Sequence, residues 1–202
     1  MNIILRDLGL TDYKNTLLAM QNFTASRSHE TADELWLTEH ESVYTLGLNR
    51  KDVHLPHSNI PIILSDRGGK ITYHGLGQVI IYLLVDLNRS QLKVRQLVTI
   101  IENSLIELLT TYEIIAFAKN DAPGVYVNNK KIASVGLRLK NNCCYHGLSL
   151  NVDMDLTPFL AIDPCGYKGL EMTQTKNIGI VKSPHQIGLM LLDILQKNLQ
   201  DE

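Results

Sequence analysis

Apolar positions recur along this chain in two rhythms, one helical and one alternating. Tyr13, Leu17, Met20 and Phe23 or Thr24 stand at helical spacing between Thr11 and Ser26, which predicts a helix with Thr11 as its N-cap. Leu35 to Leu48 (LWLTEHESVYTLGL) mixes strand-forming residues with Gly47 and predicts a strand and a turn. Residues 49–61 carry Asn, Pro and His and are read as a surface loop, after which Ile62, Ile63 and Leu64 begin a strand. Gly68-Gly69 and Gly75-Leu76-Gly77 mark turns. Between them, alternation sets Thr72 and His74 on one face and Ile71 and Tyr73 on the other. Val79 to Leu87 is a strand apolar on both faces.

Gln91 to Tyr112 is the longest helix expected, with Val94, Leu97, Val98, Ile101, Leu105, Leu108 and Leu109 as its core stripe. From Gly124 to Val152 the rhythm becomes alternating. Asn128-Asn129 and Asn141-Asn142 supply two hairpin turns, so a three-stranded antiparallel meander is expected. A loop containing Pro158, Pro164, Gly166 and Gly169 follows. A last helix runs from Pro184 to Asn198, with Ser183 as N-cap and Pro184 at its first position. Helices interspersed with mixed strands give an α/β or α+β fold, one domain over residues 1–202.

Composition narrows the classes. The chain has 202 residues, 45% apolar and 20% charged, enough to bury a core and unlike a disordered or fibrous chain. Nineteen basic against 21 acidic residues give a net charge of -2, which lacks the basic footprint of a nucleic-acid binder. Arg6 and Asp7 break any signal-peptide core, and the longest wholly apolar run, Val79 to Val85, is far short of the roughly 20 residues of a membrane span. Three cysteines are too few for a disulfide scaffold of this size and fit a reducing, cytoplasmic setting.

Each thiol is therefore a candidate for chemistry. Cys165 lies in Asp163-Pro164-Cys165-Gly166-Tyr167, between turn formers. There it is either an accessible nucleophile, helped by a nearby cation, or an inert structural residue. Cys143 and Cys144 are adjacent on a strand and read as packing residues, one buried and the other not; neither has metal-ligand spacing. Lys131 falls, by strict alternation, on the face of Ala133, Val135, Leu137 and Leu139. It either snorkels at the strand end or is desolvated and directed at a site where it exchanges protons. Lys130 points the other way, to solvent. His74 and His146 both sit in Tyr-His-Gly triplets. Phosphate-loop, GxGxxG, GxSxG and HExxH patterns do not occur.

Five segments in order resemble one family, the lipoyl(octanoyl) transferases of lipoate biosynthesis. They are LWLTEHESVYTLG, RGGKITYHGLGQ, KIASVGLRL, HGLSLNV and the run from Phe159 through IDPCGYKGLEMT. The resemblance implies the fold of the biotin and lipoate protein ligase catalytic domain. It implies that Cys165 forms an acyl-thioester and that Lys131 activates the thiol and relays the proton. It implies that Arg67, Gly68, Gly69, Lys70, Ile71, Thr72, Tyr73 and His74, with Ser134, Val135, Gly136, Gly147, Leu148 and Ser149, line the acyl pocket. It further implies octanoyl-acyl carrier protein as donor and lipoyl domains of 2-oxoacid dehydrogenases and the glycine cleavage H protein as acceptors, with no cofactor or metal. Leu76 stands where the family has Pro, Tyr126 where Trp is common, and the Cys143-Cys144-Tyr145 run is atypical. An excess of Lys119, Lys130, Lys131, Arg138 and Lys140 over Asp121 would steer an acidic partner, or is an ordinary solvated hairpin. An ATP-dependent ligase of the same fold and a non-catalytic acyl-binding module are the competing readings.

Overall fold

The chain runs β1 (Ile3–Thr11), α1 (Tyr13–Ser26), β2 (Asp33–His40), β3 (Val43–Leu46), β4 (Ile62–Leu64), β5 (Ile71–His74), β6 (Gln78–Asp86), α2 (Leu87–Ser90), α3 (Val94–Thr110), β7 (Phe117–Ala118), β8 (Gly124–Val127), β9 (Lys130–Lys140), β10 (Cys143–Asn151) and α4 (Pro184–Gln200). The structure is a computed structural model and describes residues 3–119, 122–163 and 169–201. Seven strands form one sheet in the order β1-β2-β6-β10-β9-β8-β7, and three form a second in the order β4-β3-β5. β1 is parallel to β2, and the other pairs of the large sheet are antiparallel, so the sheet is mixed.

β6 shows why the helices lie on both faces. Ile80, Tyr82 and Leu84 pack with Trp36, Tyr145 and the α1 residues Tyr13, Leu17 and Met20. Val79, Ile81, Leu83 and Val85 point the opposite way, into α3 and α4. Each such side chain contributes about 1.5–3 kcal/mol by leaving water, so the two-sided strand is a main anchor of the fold. A smaller cluster of Tyr44, Leu46, Ile71, Tyr73, Met154 and Phe159 joins the second sheet to the chain after β10.

The expected meander is present as β8, β9 and β10. Its two turns have positive φ at both central residues, 49° and 64° at Asn128-Asn129 and 52° and 57° at Asn141-Asn142, the twist that hairpins need. α4 begins as expected at Pro184, with a capping box between Ser183 and Gln186.

Four expectations change. The cap of α1 is Asp12, whose Oδ1 accepts from the Asn15 N–H at 2.8 Å, because Thr11 is engaged in β1 opposite His40. β1 itself was not predicted: it is an edge strand in which only Ile3 is buried, so it carries no alternation. The helix expected from Gln91 starts at Val94, since Gln91 takes a left-handed φ of 55° and Asp86 caps the separate turn α2. Cys143 and Cys144 are both buried, because β10 lies inside the sheet and is covered on both faces.

Candidate active site

The Arg67-Gly68-Gly69 loop passes between two backbones. Gly68 N–H donates to the Leu137 carbonyl of β9 at 2.9 Å, while Gly47, Leu48 and Asn49 N–H donate to the carbonyls of Lys70, Arg67 and Gly69. Gly47 lies so close that a Cβ there would run into the Gly69 carbonyl and come within 2.9 Å of that of Arg67. The loop roofs a narrow cavity, with about 530 Å³ of atom-free space that includes open solvent at its mouth. Its walls include Arg67, Gly68, Gly69, Lys70, Ile71, Thr72 and His74, then Ser134, Val135 and Gly136 of β9, and Gly147, Leu148 and Ser149 of β10. Tyr13, Ile80, Tyr82 and His146 complete it. Tyr73 is absent from these walls: alternation turns it to the other face, against Tyr44 and Phe159, where its hydroxyl meets Ser42 Oγ at 2.9 Å. Leu76 occupies the second position of a turn closed by Gln78 N–H to Gly75 C=O, with Gly77 at φ 86°. That is a type II pattern, in which Pro is favoured at Leu76's position but not required.

Lys131 is fully buried, so it does not snorkel. Nor does it share a face with Ala133. The β8–β9 pairing runs Val125 to Ala133 and Gly124 to Ser134, but Tyr126 to Lys131, which leaves Ile132 as an extra residue. This bulge shifts the parity of β9 and turns Lys131 to the face of Ser134 and Gly136, the cavity walls. Its Nζ donates to the Pro123 carbonyl at 2.8 Å and lies 5.5 Å from the centre of the Tyr126 ring, whose centre is also 4.4 Å from Lys119 Nζ. The other side of the same peptide unit, Gly124 N–H, donates to Glu102 Oε1 at 2.8 Å. Burial pushes the Glu102 carboxyl up, opposed by that bond and by the charge of Lys131. The Lys131 backbone pairs with the chain that follows the Cys165 loop: its N–H donates to Glu171 C=O at 2.8 Å, and its C=O accepts from Thr173 N–H at 2.9 Å. Lys130 points outward as expected but is paired with Glu171 at 2.6 Å. With Lys131 interior, the expected basic surface is thinner than its sequence count.

Aromatic and imidazole groups fill the far wall. His40 donates from Nδ1 to the Thr11 carbonyl at 2.8 Å, which leaves Nε2 to accept the Tyr82 hydroxyl at 2.7 Å. His146 takes φ 63° inside β10 and reaches Asp66 Oδ1 through Nε2 at 2.8 Å. Asp66 also accepts from the Tyr145 hydroxyl and from Gln21 Nε2. Burial raises its carboxyl, but the bonds from His146, Tyr145 and Gln21 prevail and hold it well below the carboxylate range. A carboxylate so depressed stabilises the fold fully above its unfolded value of about 3.9, and this contribution is lost as pH falls through the folded value. Asp66→Asn is therefore expected to cost about 1–3 kcal/mol at pH 7 and progressively less below pH 4, as read by urea unfolding at both pH values. An equal cost at pH 7 and pH 3 would contradict this.

Burial raises the Cys143 thiol and pushes that of Cys144 up to about 12, so neither is poised as a thiolate. Cys165 and Gly166 lie outside the described residues, as does Asp121. Among the described residues no group of three His, Cys, Asp or Glu side chains is arranged to hold a metal, and no helix is long and apolar enough to cross a membrane. Tyr13, Tyr82, His40, Asp66 and Glu102 were missed by sequence reasoning. Tyr82 and Glu102 are single polar residues in apolar stretches and Tyr13 reads as part of a helix stripe, while His40 and Asp66 lie among other polar residues, so no local pattern marks any of them.

The mixed sheet, with its cavity between the glycine loop and β9–β10, places the molecule in the architectural class of lipoate and biotin ligases. A bi-partite lipoate protein ligase from Thermoplasma acidophilum superposes with a TM-score of 0.79 at 14% identity, covering 99% of this chain and 84% of that one. The biotin protein ligase of Aquifex aeolicus gives 0.61 at 16% identity, covering 99% and 71%. These likenesses establish the fold. Residues 12–182 match the model of the lipoyl protein ligase A/B catalytic domain, and the chain belongs to that family. Proteins named octanoyltransferase are its relatives at higher identity. That of Psychromonas ingrahamii is 54% identical over 96% of this chain and 91% of its own length, and that of Dechloromonas aromatica is 53% identical over 98% of each.

Proposed function

We infer that this protein transfers an octanoyl group from acyl carrier protein to a lysine of lipoyl-accepting domains, through a thioester on Cys165. One observation carries the reading: a fully buried lysine that a bulge turns onto the cavity face, its backbone paired to the segment that follows Cys165. Cys165 precedes Glu171 by six residues, a tether of at most about 22 Å, which is compatible with a meeting of the thiol and Lys131. The names of the relatives support the same substrate class.

In the first half-reaction the Cys165 thiol passes its proton to Lys131, and the thiolate attacks the carrier's thioester carbonyl. The bond from carbonyl carbon to carrier sulfur breaks, and the carrier thiol leaves with a proton supplied by Lys131. In the second, a lysine amine attacks the acyl-enzyme, Lys131 takes up the amine proton, an amide forms and the Cys165 sulfur is released. Thioester to amide runs downhill, so no nucleotide is consumed. The cavity suits the tail: the six methylenes of an octanoyl chain at ~0.8 kcal/mol each give a gross transfer term of about 5 kcal/mol, part of which is lost in ordering the chain. The glycines of the roof let the chain pass against backbone.

Intact-mass measurement after incubation with octanoyl-carrier protein tests the scheme. An octanoyl adduct is expected on the native protein and absent from Cys165→Ala, with Cys143 and Cys144 unmodified. No adduct on the native protein, or transfer from free octanoate only when ATP is present, would favour the ligase chemistry of the fold class instead.

A further inference from the structure

Behind the cavity runs a series of buried polar side chains that the scheme above leaves unused. Its direction can be read from its one unambiguous end. The Thr173 carbonyl only accepts, so Asn151 meets it with Nδ2, at 2.9 Å. Asn151 Oδ1 is thereby turned to Gln78 and accepts from its Nε2, also at 2.9 Å. Gln78 Oε1 then faces His74 Nδ1 at 2.7 Å, so Nδ1 carries the proton and Nε2 is bare. Thr45 Oγ1 stands 3.4 Å from Nε2 and donates to it, keeping its lone pairs for Arg67 Nε at 3.2 Å and Nη2 at 2.8 Å. Every bond donates the same way, from the Arg67 guanidinium to the Thr173 carbonyl. The Thr173 N–H in turn holds the Lys131 carbonyl. Thr45, His74, Gln78 and Asn151 are all buried, which leaves water little room to repair a wrong orientation.

We propose that His74, Gln78 and Asn151 are positioning residues that keep the Arg67-Gly68-Gly69 roof in register with the strand bearing Lys131, through a neutral His74 protonated on Nδ1. The opposite tautomer would aim N–H at Thr45 Oγ1, in competition with the guanidinium for its lone pairs, and leave Gln78 Oε1 against a bare nitrogen. Flipping the two amides to follow would set Asn151 Oδ1 against the Thr173 carbonyl. An error at either end thus displaces the other. The surroundings keep the ring neutral. Burial foremost, then the His40, Arg67 and His146 charges, outweigh the Gln78 bond and push His74 down to about 3. Tyr13 from α1 stacks on it at 5.8 Å, and His40 from β2 lies at 6.2 Å.

The kinetic consequence rests on the acyl-transfer reading; the tautomer does not. In nitrogen-15 spectra of the full-length native protein, His74 should show a protonated Nδ1 and an unprotonated Nε2 throughout pH 5 to 8. An Nε2–H tautomer, or conversion to imidazolium within that interval, overturns the proposal without any variant. Gln78→Glu keeps the volume, removes the donor to Asn151 and places a carboxylate at Nδ1–H, so His74 becomes a cation near neutrality and its new Nε2–H evicts Arg67 from Thr45. Relative to the native protein at the same pH, single-turnover acylation should then slow about tenfold more at pH 6 than at pH 8.5, where only the lost Asn151 bond still acts. No slowing, or slowing independent of pH, refutes the positioning role. The native protein is acylated in the same series. If it forms no Cys165 adduct, the acyl-transfer reading fails and the positioning role falls with it, while the tautomer is still decided by the spectra.

Discussion

Lys131→Met is expected to yield a folded protein whose octanoyl transfer is slower by about 10²–10⁴-fold, the usual contribution of a positioned proton-transfer group. Stability and rate separate here for a physical reason. The ammonium is fully buried against the Pro123 carbonyl, the Tyr126 ring and the β8 backbone. Methionine fills nearly the same space, and exchanging a buried charge for apolar volume is often neutral or favourable. The Pro123 carbonyl loses its partner, at a cost of about 1–3 kcal/mol, which partly cancels any such gain. Thermal unfolding should therefore shift by only a few degrees while single-turnover acylation and transfer collapse. Rates indistinguishable from native across pH 6 to 9 would remove Lys131 from the mechanism. A large loss of folded protein would instead mark the lysine as a structural element.

The same lysine shows where reading the sequence succeeds and where it stops. Its strand and both hairpin turns are readable because they depend on local rules, asparagine at positive φ and alternation along one strand, whereas the cavity-lining glycine segments are legible only through the motif resemblance. The face of Lys131 is not readable. Strict alternation put Lys131 with Ala133, and the bulge at Ile132 reverses that. A bulge is a property of two strands in register, and nothing in KIASVGLRL announces which residue will have no opposite number. β1 escaped for a related reason: an edge strand with one buried residue has no amphipathic signal, and its parallel pairing with β2 is visible only in the fold. The polar series from Arg67 to Thr173 draws on five separated segments of the chain. The motif resemblance marks Arg67 and His74 as site residues and contains Gln78 and Asn151 without a role, and only their distances give the four a common direction. Cys165 was chosen from its loop and the resemblance, and the test of that choice is chemical.

Gly124→Ala is expected to destabilise the protein by at least about 3 kcal/mol, lowering its melting temperature by roughly 6–12 °C, and to impair transfer in whatever folds. Two costs meet at this residue. Its φ of 133° is disfavoured for any L side chain, worth about 1–3 kcal/mol. A Cβ there would also collide with the Ala133 carbonyl and come within 2.7 Å of Lys131 Cε. The carbonyl belongs to the sheet and cannot give way cheaply, so the lysine or the peptide must move. That peptide has Lys131 on its carbonyl and Glu102 on its N–H, so moving it disturbs both charges together. Gly179→Ala isolates the first cost: its φ is 88°, but a Cβ would meet nothing within 4 Å. The Gly179 variant should lose about 1 kcal/mol and transfer normally. If the two variants lose the same stability and both keep full activity, Lys131 does not depend on the space that Gly124 leaves open. If Gly124→Ala alone loses activity beyond its loss of folded protein, the absent side chain on β8 is what gives the buried ammonium its seat.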